Sequence, residues 1–327
     1  MTSPQITVPA GLDPDAAELV AAARAAGAPP LHELGYARAR ELMETMPRPQ
    51  GPELYDVADL EFDGPHGPLR VRRYQPEAGT AMPGLVYFHG GGYIVGSLDS
   101  YDNATRHLAK ATGAVLLSVE YRLAPEHRYP VANDEATATL AWATEHAAEL
   151  GLDPNRIGVA GDSAGGSLAA SVALAARGAD RAPMLQLLIN PGLDGDLDRP
   201  SVREFADGPV ITRDDMRWMR QSYYGPDESA LPSGAVPGLV ADLAGAASAI
   251  VVTASHDPTR DGAEAYGARL RAAGVQTALL RYPGVYHGFL MRTEYLARAR
   301  LALAEIGALV RARLAAQSMA GLGHIQS

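Results

Sequence analysis

The chain has 327 residues, 47% of them apolar, and carries a formal net charge of −10 at pH 7. This acidic balance argues against a nucleic-acid-binding surface, which needs clustered basic residues. Because cysteine is absent, disulfides, thiolate zinc sites and cysteine nucleophiles are excluded. The length and apolar content predict one large core with an inserted or appended subdomain.

The start of the chain carries no recognisable targeting segment. Residues 1–20 lack the basic start and the continuous apolar stretch of a signal peptide. No uninterrupted apolar run reaches the length of about 18 residues that a membrane-spanning helix requires. We therefore expect a soluble, cytoplasmic protein without a membrane span.

The first elements in chain order are two helices. Asp13 and Pro14 supply an N-cap and a first-turn proline, and Gly27 ends the apolar periodicity that follows. A second helical pattern covers residues 31–46, before prolines break it. Residues 1–55 are predicted to form an N-terminal helical cap segment.

The pattern then changes to short strands. Residues 57–62 and 69–74 are separated by a turn-rich GPHGP and predict an antiparallel edge pair. From Gly84 onward, apolar strands alternate with helices; the strands are 84–89, 115–121, 156–161, 184–190, 249–255 and 278–283. The helical patterns lie near 132–150, 164–177, 261–274 and 294–316. This alternation predicts an α/β fold with a mostly parallel, eight-stranded sheet flanked by helices.

One long interval interrupts the alternation. Residues 194–247 contain a capping-box pattern, Thr212 and Asp215, ahead of a helix that carries Met216 and Trp218. An insertion of this length with its own helix predicts a cap over the core rather than a loop without regular structure. The core is accordingly expected in two parts, 56–193 and 248–318, and residues 319–327 are expected to be a frayed tail.

The sequence GDSAGG follows a strand and opens a helix. Gly161, Ser163 and Gly165 form G-x-S-x-G in this strand–turn–helix context, which is typical of the nucleophile elbow of α/β hydrolases. Small residues are needed there because the serine is held in a strained turn. A phosphate-binding loop is a poor alternative, because the glycine spacing matches neither common pattern and the chain's only lysine, Lys110, is remote.

A serine nucleophile needs a base and an acid, which in this fold follow it in the order acid, then histidine. Asp257 and His287 come just after the last two predicted strands in that order. Asp261 and Asp194 are weaker candidates for the acid, since the first opens a helix and the second follows an earlier strand.

Other histidines fit the role of base less well. His256 adjoins Asp257 too closely for both to belong to one triad, and His324 lies in the expected tail. Asp257 and His287 are therefore the preferred partners of Ser163.

The sequence YFHGGGYIVG follows the predicted strand 84–89. Glycines there allow backbone N–H groups to approach a ligand without an obstructing Cβ atom, and esterases and lipases of this fold carry an HGGG oxyanion motif at this point. We assign the oxyanion donors to Gly91, Gly92 and Ala164; the choice among the glycines rests on resemblance to such esterases and lipases rather than on spacing, and which two glycines donate is left open. His89 and Gly90 are expected to shape the loop, with His89 as a structural residue rather than a base.

Taken together, these segments resemble the bacterial hormone-sensitive-lipase family of esterases. The matching segments are HGGGYIVGSLDSYD, YRLAPEHRYP, GDSAGG with Asp162, DPTRDG and YHGF, in the right order. The resemblance implies an α/β-hydrolase fold with a helical cap, which hydrolyses short- to medium-chain acyl esters without a cofactor. Thr259 and Gly262 depart from the family pattern. These departures leave the expected chemistry unchanged and affect only the packing beside the loop that carries Asp257.

The predicted function is that of a carboxylesterase with a Ser-His-Asp triad, an acyl-enzyme intermediate, a small-molecule ester substrate and no metal. Tyr93, Met216 and Trp218, together with the N-terminal helices, are candidates for the substrate pocket, but at their helical spacing Met216 and Trp218 fit the core of the cap at least as well. An amidase or deacetylase with the same triad is the alternative, and a homodimer is left open. A non-catalytic receptor on this fold is disfavoured because His287 is present; the related gibberellin receptors have lost that histidine.

Overall fold

The computed structural model describes residues 8–27, 29–227, 231–232 and 234–315. The predicted tail 319–327, with His324, lies outside the described residues. The strands are β1 (Asp56–Gly64), β2 (Gly67–Gln75), β3 (Met82–Phe88), β4 (Val115–Val119), β5 (Leu152–Asp162), β6 (Leu185–Ile189), β7 (Ser248–His256) and β8 (Thr277–Tyr286).

The helices occur on both sides of the strands and in the cap. They are α1 (Pro14–Ala25), α2 (Leu31–Thr45), α3 (Asp102–Thr112), α4 (Val131–Glu145), α5 (Ala164–Ala175), α6 (Pro200–Glu204), α7 (Arg213–Tyr224), α8 (Arg260–Ala272) and α9 (Ala297–Ala315). Two short 3₁₀ helices cover Pro237–Leu239 and Phe289–Arg292. Within the described ranges, no helix combines the length and the apolar character needed to cross a membrane.

All eight strands join one sheet in the order β1-β2-β4-β3-β5-β6-β7-β8. β1 and β2 pair antiparallel at one edge, β2 pairs antiparallel with β4, and the remaining neighbours are parallel. The predicted α/β-hydrolase fold, with its mostly parallel sheet and an antiparallel edge pair, is confirmed. The carboxyl ends of the parallel strands therefore meet along one rim of the sheet.

Both faces of the sheet are covered, which explains why its central strands are almost continuously apolar. Val86 and Phe88 of β3 pack with α4 and α5 in one buried cluster. Leu85 and Tyr87, the alternate residues, pack with α3 and α9 in the other. Side chains alternate between faces along a strand, so one short run supplies both cores.

The helical prefix differs in detail from the prediction. α2 contains a kink at Gly35, where φ is +69°. Asp13 caps α1 with no side-chain hydrogen bond; its carboxylate instead receives hydrogen bonds from Arg298 in α9. Helix α3 was not predicted, because its sequence DNATRHLAKAT has few apolar residues and only Leu108 among the large ones is buried.

The predicted capping box of α7 is confirmed. The amide of Asp215 donates to Thr212 Oγ1 and the amide of Thr212 donates to Asp215 Oδ2, each at 3.0 Å. Asp215 also accepts hydrogen bonds from the amide and the ring of His32 in α2, at 2.9 and 2.8 Å. The two cap segments, from the N-terminus and from the insertion, are thus packed against each other.

Candidate active site

Ser163 sits at the turn between β5 and α5, at the carboxyl rim of the sheet. Its backbone has φ 53° and ψ −117°, a conformation that is strained for a residue with a side chain. A Cβ atom on Gly161 would lie 2.2 Å from the carbonyl oxygen of Gly165, and one on Gly165 would lie 1.9 Å from the carbonyl oxygen of Phe88. Only glycine fits at either place, which is why the motif holds small residues.

Three predicted side chains lie in hydrogen-bond reach of one another. Ser163 Oγ is 2.9 Å from His287 Nε2, and His287 Nδ1 is 3.0 Å from each oxygen of Asp257. Asp257 follows β7 and His287 follows β8, so parallel pairing of these strands brings the two loops together. The imidazole donates from Nδ1 to the carboxylate and is left to accept at Nε2 from the serine hydroxyl.

The Asp257 carboxylate is fully buried and has further donors that the sequence did not indicate. Asn190 Nδ2 donates to Asp257 Oδ2 at 2.6 Å. The amide and the hydroxyl of Thr259 both lie 2.8 Å from Oδ1. A buried charge needs such partners, and here they hold the Asp257 carboxylate in the position where His287 contacts it. Thr259, a departure from the family pattern, therefore contacts the acid directly.

The rival candidates have other partners. Asp261 accepts from the amide of Ser201 and pairs with Arg260. Asp194 forms a two-pronged ion pair with Arg199. These carboxylates are engaged away from His287, which leaves Asp257 as the acid in contact with the imidazole.

His256 is likewise engaged elsewhere. Its Nε2 lies 2.9 Å from the carbonyl oxygen of Ala10 and its Nδ1 lies 2.8 Å from Ser255 Oγ. The ring therefore holds the segment before α1 against the end of β7.

The electrostatics of His287 reflect two opposing effects. Burial alone would lower the pKa of the imidazole, because a buried charge loses hydration. The charge and the hydrogen bond of Asp257 act in the other direction, with a smaller contribution from Asp162. The net result is a pKa of His287 raised above its usual value.

The glycine loop after β3 turns sharply beside the serine. Gly91 and Gly92 have φ of +103° and +63°, and a Cβ atom on Gly91 would lie 2.1 Å from the carbonyl oxygen of Val95. The carbonyl of Gly91 accepts from the amides of Ile94 and Val95, each at 3.0 Å. Among the described residues, no backbone or side-chain group accepts from the amides of Gly91 or Gly92. These N–H groups are available to a ligand.

Ala164, the third predicted donor, is the first residue of α5. Amides in the first turn of a helix have no partner within the helix. The N-terminus of α5 also carries the positive end of the helix dipole, which favours negative charge nearby.

His89 is buried and plays no part in the serine–histidine contact. Its Nδ1 donates to the carbonyl of Gly90 at 2.7 Å, and the ring stacks on Tyr121 with 4.4 Å between centroids. The hydroxyl of Tyr121 donates back to the carbonyl of His89 at 2.7 Å. Burial lowers the pKa of His89 to about 4, so the ring is neutral at pH 7. These contacts join the ring to the backbone of the loop and to Tyr121.

Asp162 joins the glycine loop to the elbow. Its Oδ1 accepts from the amide of Gly90 at 2.9 Å and from Tyr87 Oη at 2.6 Å, and its Oδ2 lies 3.4 Å from Tyr101 Oη. Burial raises the pKa of Asp162 to about 6, against the effect of these donors. The carboxylate thus holds the start of the HGGG loop at a fixed place beside Ser163.

A cleft opens above the serine. Tyr93 and Met216 line it and Trp218 does not; the Trp218 ring stacks on Tyr36 of α2 with centroids 5.0 Å apart. Further lining residues that the sequence did not single out as such include Leu193, Asp194, Arg199, Ile211, Met219, Arg220 and Tyr224.

The N-terminal helices were expected in the wall of this cleft, and the structure differs. None of their described residues lines it. They pack against α7, where Trp218 stacks on Tyr36 and where Met216 and Met219, which also line the cleft, share an apolar cluster with Ala39 of α2. Residues two apart on a helix point in widely different directions, so only the packing decides which of them reaches the substrate.

The cleft offers no metal site. Among the residues that the structure describes, no group of three or more His, Asp or Glu side chains is placed to hold a metal ion. The chemistry that the arrangement can perform is that of a serine nucleophile with an imidazole base.

Comparison with known proteins places the chain in a family. A family model described as alpha/beta hydrolase fold matches residues 85–291, which is more than half of the chain. The chain therefore belongs to this α/β-hydrolase family, and the predicted resemblance to esterases of the hormone-sensitive-lipase type is confirmed.

Similar proteins are named as ester hydrolases. Ethyl acetate hydrolase of Pseudomonas putida is 38% identical over 293 residues, which cover 85% of this chain and 92% of that protein. Carboxylic ester hydrolase LipN of Mycobacterium tuberculosis is 39% identical over 262 residues, which cover 78% of this chain and 69% of that one.

Solved structures agree with this relation. An ester hydrolase from the metagenome of Lake Arreo, complexed with a derivative of bipyridine phosphonate, is 36% identical. Its TM-score is 0.87, and the match covers 92% of this chain and 98% of that one. The hyperthermophilic esterase of Pyrobaculum calidifontis is 34% identical, with a TM-score of 0.85 and coverage of 92% and 98%.

Proposed function

We propose that this protein is a carboxylesterase that hydrolyses small acyl esters through Ser163, His287 and Asp257. The observation that carries the proposal is the continuous contact from Ser163 Oγ through both nitrogens of His287 to the Asp257 carboxylate. Serine, imidazole and carboxylate in this order form the arrangement that activates a hydroxyl for acyl transfer. The ester-hydrolase relatives support the same conclusion.

In the first half of the reaction, His287 Nε2 takes the proton of Ser163 as Oγ attacks the carbonyl carbon of the ester. Asp257 stabilises the imidazolium through the Nδ1 hydrogen bond and keeps the ring in the required orientation. His287 then gives the proton to the leaving alcohol, and the acyl group stays on Ser163. Water attacks this acyl-enzyme in the second half, again with His287 as the base.

Negative charge appears on the carbonyl oxygen in both halves. The amides of Gly91, Gly92 and Ala164 are the groups that we assign to it, since Gly92 and Ala164 line the cleft with Ser163, Gly91 adjoins Gly92, and all three amides lack partners among the described residues. One preorganised donor of this kind contributes about 2.7 to 4 kcal/mol to lowering the barrier. The charge of Asp162 lies behind the loop, where it accepts from Gly90 rather than from the donors themselves.

The cleft indicates the size and polarity of the substrate. Ile211, Met216 and Met219 give the cleft an apolar wall beside Ser163, which suits the hydrocarbon part of a small ester. We infer acyl esters of short to medium chain length. Met219 packs directly on Gly92, since a Cβ atom there would lie 2.3 Å from the Met219 sulfur, so bulk close to the ester carbonyl is restricted.

Hydrolysis of p-nitrophenyl esters of increasing acyl length, compared with an isosteric anilide, tests this proposal. We expect turnover of the short and medium esters, a decline for long chains, and much slower hydrolysis of the anilide. Comparable rates on the anilide would indicate an amidase. Binding of esters without turnover would indicate a receptor and contradict the proposal.

The pH dependence of the reaction follows from His287. Only the neutral imidazole can take the proton of Ser163, so kcat/KM is expected to fall as the pH drops through the pKa of His287 in the free enzyme. Because that pKa is raised, the acid limb should lie above the ordinary histidine value of about 6.5. An acid limb well below this value in the pH–rate profile would contradict the assignment.

A variant checks the cause of this shift. In Asp257→Asn the raising effect of the carboxylate is removed while burial remains, so the acid limb of the residual activity should move to lower pH.

A further inference from the structure

The cap helix α2 reaches the oxyanion loop through one side chain. Arg40 Nε donates to the carbonyl of Ile94 at 2.8 Å, and Arg40 Nη2 donates to the carbonyl of Ala124 at 2.8 Å. Ile94 is two residues beyond Gly92. Ala124 lies three residues after Tyr121, whose ring stacks on His89 at the start of the loop. The same guanidinium also pairs with Glu126 at 2.9 and 2.7 Å.

The contacts of Arg40 surround a strained segment of backbone at Tyr93. Tyr93 has φ +64°, in the left-handed region that a bulky residue rarely adopts. Such a conformation costs about 1–3 kcal/mol and persists only where the surroundings hold it from several sides. The carbonyl of Tyr93 accepts from the amide of Ala124 at 2.8 Å, and the next carbonyl, that of Ile94, accepts from Arg40. Arg40 thus ties together the two segments that fix this turn.

The two carbonyl contacts matter more than the ion pair. The side chains of Arg40 and Glu126 are 31% and 55% exposed, and ion pairs with this exposure contribute only about 0–1 kcal/mol. The carbonyl contacts instead use the planar fork of arginine, which lysine cannot reproduce because it has a single ammonium group. The main structural role of the guanidinium is therefore to bridge the carbonyls of Ile94 and Ala124.

We propose that Arg40 is a positioning residue for ester hydrolysis, which holds the turn at Tyr93 and Ile94 so that the preceding amides of Gly91 and Gly92 point at the carbonyl oxygen. This rests on the proposed function of the site. The same helix contacts α7, the cleft wall, through His32 with Asp215 and through Tyr36 with Trp218. Arg40 therefore connects the cap to the reaction centre.

The test compares Arg40→Gln and Arg40→Lys with a matched control, Arg38→Gln. Arg38 lies on the same helix, is 61% exposed and pairs with Glu41 at 2.7 Å. Glu126→Gln is the second control, because it removes the charge of the ion pair and leaves the carbonyl contacts of Arg40 in place. Each variant is measured for kcat and KM on p-nitrophenyl butyrate, for inhibition by an aryl trifluoromethyl ketone, and for its Tm.

We expect Arg40→Gln to lower kcat by about 10- to 100-fold, the scale of a misplacement near 1 Å in a site of this kind, with KM changed much less. The trifluoromethyl ketone adduct on Ser163 places its oxygen in the oxyanion hole, so its affinity should fall by a similar factor. Arg40→Lys should lie between the wild type and Arg40→Gln. Both control variants should stay within about twofold of the wild type.

Several results would overturn the proposal. A loss of thermal stability in Arg40→Gln without a loss of kcat would assign Arg40 an ordinary structural role. A loss of activity in Glu126→Gln as large as that in Arg40→Gln would do the same. Should Arg40→Gln fail to fold, Arg40→Lys decides by the same criteria.

A further measurement separates this proposal from the proposed function. Amide hydrogen exchange at Ile94, Val95 and Ala124 should speed up in Arg40→Gln but not in Arg38→Gln, whether or not the wild type hydrolyses esters. An inactive wild type with this exchange pattern would refute the proposed function but not the role of Arg40 in holding the turn at Tyr93 and Ile94. An active wild type with unchanged exchange and unchanged kcat in Arg40→Gln would refute the positioning role alone.

Discussion

Replacing Ser163 or His287 with alanine is expected to lower kcat for ester hydrolysis by about 10⁴- to 10⁶-fold, with little change in KM. The reason is that each variant removes the nucleophile or the base, while the cleft and the oxyanion donors stay in place. Because the two residues act as a unit through the 2.9 Å contact, the double variant should be no slower than the worse single variant.

Labelling with a serine-directed phosphonate provides the second readout. Intact-mass measurement should show one adduct on the wild type and none on Ser163→Ala. His127→Ala is a suitable control, since this histidine is exposed and remote from the triad in the chain, and its activity should be unchanged. Full labelling of Ser163→Ala would place the nucleophile elsewhere, and near-normal turnover by His287→Ala would move the base to another histidine.

Gly165→Ala should be one of the most destabilising single substitutions in the chain. The added methyl would meet the carbonyl oxygens of Phe88 and His89 at 1.9 and 2.5 Å, and the backbone of a central strand cannot move aside. We expect a loss of about 3 kcal/mol or more in the free energy of unfolding, at the upper end of the cost of overpacking. Ester hydrolysis should be lost as well, since the same contact sets the distance between the elbow and the oxyanion loop.

Urea unfolding and thermal melting of the purified variant measure this effect. Gly79→Ala is the control, because a Cβ atom there would find Met82 at 3.5 Å, an ordinary contact, and its backbone is not left-handed. A Gly165→Ala protein with wild-type stability and activity would contradict the close approach of α5 to the end of β3.

Parts of the site could be predicted because local backbone demands leave a mark in the sequence. The strained turn at Ser163 needs small residues two positions to each side, and the oxyanion loop needs amides without Cβ atoms. Asp257 and His287 were singled out by chain order after strands, which works because parallel strands end at one rim. Their contact with Ser163 is found at hydrogen-bond distance.

Other parts of the site could not be predicted from the local sequence. Asn190 donates a hydrogen bond to Asp257, but nothing in its local sequence distinguishes it from other polar residues at strand ends. Thr259 stood out only as a departure from the family pattern, which did not indicate its hydrogen bonds to Asp257. For Trp218 the sequence left both the cleft and the core of the cap open, because its direction on α7 depends on Tyr36, which is 182 positions earlier in the chain.

The sequence by itself therefore determined the eight strands, most of the helices and the class of enzyme, and it led to the proposal of Ser163, Asp257 and His287 as the reacting side chains. These follow from hydrophobic periodicity and from glycine requirements, which act over a few neighbouring residues. Only the tertiary structure decided which side of α7 faces the substrate, which residues satisfy the buried Asp257 and how Arg40 reaches the oxyanion loop. Those features depend on contacts between residues that are distant in the chain, and such contacts are set by how the helices and the sheet pack.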